Sequence, residues 1–134
     1  MKQFGNSPVQ IINKATGQVL IESARWCMSS LCKLIGFQFR SHLRVGETLI
    51  LVHKRDSIAG SAIHMFFVFT PLGVIWVNSK NYVMHLQVAK PWRPHYASPT
   101  PACFVIETEV GNLEQFKVGD LLEFKSSTEK NLIN

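Results

Sequence analysis

This sequence predicts a mainly β fold: a single-domain β-sandwich or small barrel of about seven or eight strands with one packed α-helix. Three observations carry that expectation. Apolar runs of strand length recur between Gly, Asn and Pro signals, the rhythm of short strands and tight turns. Only one stretch keeps a helical period. Hydrophobic residues make up 46% of the 134 positions and charged residues 17%, enough for a buried core and unlike a disordered chain.

The elements follow in order. Val9–Ile12 and Gln18–Ile21 flank Asn13-Lys14-Ala15-Thr16-Gly17, a polar turn ending in glycine, and read as an opening hairpin. Ser23 is placed as the N-cap of a helix in which Cys27, Leu31, Leu34 and Ile35 share one face. Arg25, Ser29 and Lys33 line its wet side, and Gly36 stops it. Thr48–His53 is a short apolar strand. Ala62–Phe69 is apolar on both faces and is expected as a central strand covered on both sides. Gly73–Val77 and Tyr82–Val88 form a hairpin around Asn78-Ser79-Lys80-Asn81. Ala102–Glu107 and Asp120–Lys125 supply two more strands, with Val118-Gly119-Asp120 as a turn. One domain over 9–125 is expected, between a flexible N-terminus at 1–8 and a flexible tail at 126–134.

The net charge of +5 is unevenly spread. No carboxylate occurs between Ser57 and Ile106, whereas six of the nine acids lie from Glu107 onward. A basic body with an acidic end suits a small anionic ligand or a protein partner. The basic residues are scattered singly, which disfavours nucleic acid. The polar start Met1–Ser7 lacks a signal-peptide stretch, and Ala62–Val77 is too short and interrupted to span a bilayer. A cytoplasmic protein without a membrane partner is therefore expected, as a monomer or weak dimer. The three cysteines, Cys27, Cys32 and Cys103, agree with a reducing compartment. If Cys27 and Cys32 share a helix, they point about 140° apart and cannot bond.

Residues 91–101 hold four of the six prolines, so this connection is stiff and largely extended. It carries Trp92, Arg93, His95 and Tyr96, side chains enriched at interfaces, and is the best binding surface in the sequence. The plainer alternative is a connection whose aromatics close over the core.

Gly36-Phe37-Gln38-Phe39-Arg40 follows the helix in the place of a Gly-Leu-Met-Phe-Arg-like motif. Ile63-His64-Met65-Phe66-Phe67-Val68 and Thr70-Pro71-Leu72-Gly73-Val74-Ile75-Trp76 look like an aromatic or His-Met segment, then Pro-Leu-Asp and an apolar strand. Pro91, Pro101-Ala102-Cys103-Phe104-Val105-Ile106-Glu107, Gly111 and Val118-Gly119-Asp120 complete the order. In this register the chain resembles the domain of unknown function 192 family, from about Ala24 to Phe124. The resemblance implies a compact, mainly β fold with no assigned reaction, in a family many of whose members are exported. Gly73 stands where that family usually has Asp, so any work its carboxylate does in relatives is lost here. Phe37 and Gln38 also depart from the first motif.

Catalytic signals are sparse. There is no Gly-x-Ser-x-Gly elbow, no phosphate-cradling glycine loop and no orienting carboxylate in the middle of the chain. His53, His64 and His85 fall in expected strands, but no pair has i, i+2 spacing, and neither a metal nor another cofactor is expected. Arg40 is expected to pair with Glu107 or Asp120, or to hold an anion. The leading reading is a non-catalytic small-ligand or protein interaction domain with Trp92, Arg93, His95 and Tyr96 as contacts. A small hydrolytic or metal-assisted enzyme using His64, Arg40 and Glu107 is the rival, and a weak nucleic-acid binder the third reading.

Overall fold

Seven strands join in one curled sheet, in the order β5-β4-β6-β3-β2-β1-β7. The structure, a computed structural model of the chain, describes residues 4, 5, 7–29, 32, 33 and 47–127. The strands are β1 (Val9–Asn13), β2 (Val19–Cys27), β3 (Leu49–Ser57), β4 (Leu72–Val77), β5 (Val83–Ala89), β6 (Ala102–Thr108) and β7 (Leu122–Ser126). All neighbours run antiparallel except β2 and β3, which pair in parallel from Arg25↔Leu49 to Cys27↔Leu51. At one rim the two ends of the sheet meet. Tyr82 bridges Leu121, and the Val83 and Leu122 amides donate to Asp120 and Asn81 carbonyls at 2.9 and 2.8 Å. The result is a mainly β half-barrel.

Two core layers follow from that curl. Inside lie Trp26, Ile50, Ile75, Phe104, Ile106 and Phe124, together with side chains from β1. Outside lie Leu49, Leu51, Leu72, Val74, Trp76 and Val105, covered by Ile63, Met65, Val68 and Tyr96 from loops. Every residue of β4 and β6 is consequently buried. Near-continuous apolar runs are what strands covered on both faces require.

Three expectations are corrected here. Ser23–Cys27 is the second half of β2, not the first turn of a helix. Ala24 and Trp26 point inward while Ser23 and Arg25 are exposed, a period of two that the coincidental spacing from Cys27 onward concealed. Among the described residues only Cys32 and Lys33 carry α-helical backbone; Leu31, Leu34 and Ile35 lie outside them. Cys27 and Cys32 are bonded, with Cα atoms 5.7 Å apart. Their separation on a helix does not apply, because Cys27 ends a strand and the chain turns back at Met28-Ser29. The remaining thiol, Cys103, is buried and donates to the His53 carbonyl at 2.9 Å. Burial pushes that thiol up, and nearby Asp56 adds to the effect.

The third correction concerns residues 62–69. They form no strand of the sheet but a loop laid over its outer face. The central strands covered on both sides are β4 and β6 instead. The two hairpins, β3, β6 and β7 lie where their patterns predict. Gly119 sits at φ +96°, a conformation that favours glycine, in the turn leading to β7.

Paired loops and their aromatic surface

The 62–69 loop and the proline-rich 91–101 loop are tied together by backbone. Ile63 and Tyr96 exchange two hydrogen bonds of 2.9 Å each. Met65 donates to the Arg93 carbonyl, and Trp92 donates to the Met65 carbonyl, both at 2.8 Å. Ile63, Met65 and Val68 drop into the outer core, while the aromatics beside them face outward. Phe66, Phe67, Phe69 and Trp92 are 42%, 43%, 47% and 47% exposed. Phe67 and Phe69 meet the Trp92 ring edge-on, with centroids 5.1 and 5.6 Å away. A cluster of large exposed rings is informative where one scattered apolar residue is not.

The backbone under this cluster is unusual. Phe67 and Trp92 have φ of 61° and 65°, a left-handed conformation that bulky side chains rarely adopt. Such conformations cost of order 1–3 kcal/mol each and concentrate at functional sites. Each turns a ring outward on its loop, and around Phe67 the Phe66 and Val68 amides donate to His64 Nδ1 and the Met65 carbonyl.

The residues singled out by sequence divide. Trp92, Arg93 and His95 are exposed on the 91–101 loop. Tyr96 is buried, and its hydroxyl accepts the Lys90 amide at 2.9 Å, so it closes the loop onto the core. The plainer reading, aromatics closing over the core, holds for Tyr96. His64 stacks beside Phe66, with ring centroids 5.3 Å apart, and its Nδ1 accepts the Phe66 amide at 3.3 Å. Glu107 lies in β6 between Leu49 and Val74, and burial pushes its carboxyl up to about 7. Nothing described joins His64 to Glu107. Arg40, with the rest of the 36–40 motif, lies outside the described residues. Asp120, the other partner expected for Arg40, accepts the Lys117 amide in its own turn at 2.9 Å.

Phe66, Phe67 and Phe69 were not expected at the surface, because their run reads as a buried strand. One signal was available: Pro71 follows within two residues, in a segment that never alternates. The three histidines do not gather. His53 is in β3, held below its ordinary range by burial and by Lys33, whereas His85 packs against Trp76 in β5. Among the described residues no group of three or more His, Cys, Asp or Glu side chains converges.

Gly73 is closed off. A Cβ there would stand 2.9 Å from Leu113 Cγ and 3.1 Å from the Glu109 carbonyl oxygen. The 3-10 turn Val110–Gln115 is laid against β4 at this point.

The family model for domain of unknown function 192, described as an uncharacterised ACR, matches residues 11–124. The chain belongs to this family. A UPF0127 protein of Thermococcus kodakarensis is 29% identical over 122 residues, covering 90% of this chain and 76% of its own length. One from Thermococcus gammatolerans is 30% identical over 122 residues, covering 90% and 78%. A crystal structure of a Novosphingobium aromaticivorans protein of unknown function superposes with a TM-score of 0.72 at 22% identity, covering 87% of this chain and 83% of that one. Another, from Sinorhizobium meliloti and described provisionally as a transcription regulator, gives 0.73 at 14% identity, covering 95% and 98%. At these identities the structures share the fold alone. Neither the DUF192 family nor these relatives carry an assigned activity, and among the described residues no helix is long and apolar enough to cross a membrane.

Proposed function

We propose that this DUF192 chain is a non-catalytic interaction domain that engages a protein partner through the paired 62–69 and 91–101 loops. The observation that carries the reading is the exposed cluster of Phe66, Phe67, Phe69 and Trp92 on strained backbone. Aromatic anchors ringed by polar groups are the usual composition of a contact surface. Lys90, Arg93 and His95 flank the rings, and the acid-free stretch from Ser57 to Ile106 leaves no carboxylate in either loop. An acidic rim on the partner therefore fits.

A photo-crosslinking phenylalanine analogue at position 66 tests this in cells. A discrete adduct should form and should vanish when Phe67→Ser and Trp92→Ser are introduced together. No adduct, or one indifferent to those changes, removes the proposal.

The same reading treats the domain as a small barrel whose outer face is a platform for loops. The Cys27–Cys32 bond supports an oxidising compartment, since such bonds are rare where thiols are kept reduced. Rapid thiol trapping under denaturing conditions before mass measurement separates the cases: three trapped thiols would favour the cytoplasm, and Cys103 alone an oxidising compartment.

A further inference from the structure

We infer that the inside of the half-barrel holds a second, separate site, for a small flat apolar molecule bearing a carboxylate. A cavity of about 490 Å³ opens at the closed rim of the sheet. Its floor is aromatic: Trp26 contacts Phe124 edge-on and lies tilted beside Phe104, at centroid distances of 5.5 and 5.7 Å. That volume lies within the range of small-molecule pockets, and barrel mouths are a habitual place for them.

Two observations specify the occupant. The Trp26 side chain lines this cavity, and its Nε1–H is buried with no hydrogen-bond acceptor among the described residues. Buried indole donors normally find a partner, as Trp76 does in donating to the Ser61 carbonyl at 2.9 Å. Trp26 departs from that rule beside the cavity it lines. Lys14 and Lys54 stand at the mouth against the single acid Glu123, a net positive rim. A flat hydrocarbon body laid on this aromatic floor, with its carboxylate toward the lysines, suits both the lining and the charge of the rim. This site lies on the inner face, away from the paired loops, and does not rest on their role.

The three tryptophans supply the readout. Each indole N–H gives its own cross-peak in a ¹⁵N-correlated NMR spectrum, and Trp26→Phe identifies one of them. Titration with 2-naphthoate should move the Trp26 peak saturably while those of Trp76 and Trp92 stay. Lys14→Gln with Lys54→Gln, both at exposed positions, should weaken naphthoate about five- to tenfold and leave the uncharged 2-naphthalenemethanol unaffected. No saturable shift of the Trp26 peak up to millimolar naphthoate overturns the site, and so does a shift confined to Trp92. Equal affinity for acid and alcohol overturns the carboxylate. Should Trp26→Phe fail to fold, the two lysine variants still assign the site through the unshifted wild-type peaks.

Discussion

The inner and outer faces of the sheet are both apolar and both buried at their centre, but they are covered by different means. Inside, strands cover strands: the sheet curls, and residues of β1, β2 and β7 close over those of β3, β4 and β6. Outside, two irregular segments do the covering, contributing Ile63, Met65, Val68 and Tyr96. A strand that folds over a core turns its other side chains to a fixed place in the ladder. A covering loop has no ladder, so its remaining side chains are free to take up a function. That difference explains why Trp76 and Trp92 are both tryptophans yet do opposite things. One is wholly buried and hydrogen-bonded, and the other is half-exposed on strained backbone.

Breaking the contrast at those two tryptophans should give the largest effect. Trp76→Ala leaves a cavity and an unpaired Ser61 carbonyl, and should cost about 3–5 kcal/mol in urea unfolding. Trp92→Ala should cost less than about 1 kcal/mol. Similar losses at both would mean that the loop is merely core.

The next test separates burial from charge. Glu107 is buried on the outer face with its pKa raised to about 7, above the ordinary carboxylate value of about 4.3. Between those values the folded protein holds a proton that the unfolded chain releases, so the Glu107 contribution to stability falls as pH rises from 5 to 8, while that of His53, held low, runs the other way. The full effect is at most about 3 kcal/mol. Glu107→Gln should flatten the profile and be the more stable protein at pH 8. A Tm difference between wild type and Glu107→Gln that climbs over this range would show that the carboxylate is stabilised as an anion.

Gly73 sharpens the comparison on the strand itself. Gly73→Asp introduces the residue that the resemblance implies at this position, into a space already held by Leu113 and the Glu109 carbonyl. It should cost about 2–3 kcal/mol, and Leu113→Ala should recover part of that loss. An unaffected Gly73→Asp protein would show that the 3-10 turn yields easily.

A smaller loss, about 2 kcal/mol, is expected for Cys32→Ser, because the bond closes only a short loop after β2. The smallest effect is expected for Phe67→Gly. Relief of the positive φ offsets the lost ring contact with Trp92, so Tm should change little while crosslinking from position 66 fails. A large drop in Tm would instead assign Phe67 to the packing of the fold.

Local patterns were sufficient for much of this architecture. Asn13–Gly17 and Asn78–Asn81 mark their turns by composition, and the hairpins around them are present. The run 102–107 is apolar throughout and lies at the sheet centre as β6. The proposed contact surface was half-legible: Trp92, Arg93 and His95 stand out in a proline-rich loop, whereas Phe66, Phe67 and Phe69 do not. Their apolar run fits a buried strand equally well, because periodicity cannot tell a residue that joins a ladder from one that covers it. Residues 62–69 became a loop because Met65 finds its backbone partners in Arg93 and Trp92, about thirty positions away.

The sequence by itself determined the β class, the number of strands to within one, the two hairpins and the family, since these rest on turn chemistry and on the order of short apolar runs. Tertiary structure alone decided four things: that Ser23–Cys27 extends a strand, that Cys27 meets Cys32, that Leu113 occupies the space beside Gly73, and that three phenylalanines face outward. Each depends on which distant segment packs against a residue. Such a contact is fixed by the fold's total burial and hydrogen bonding, and no local pattern encodes it.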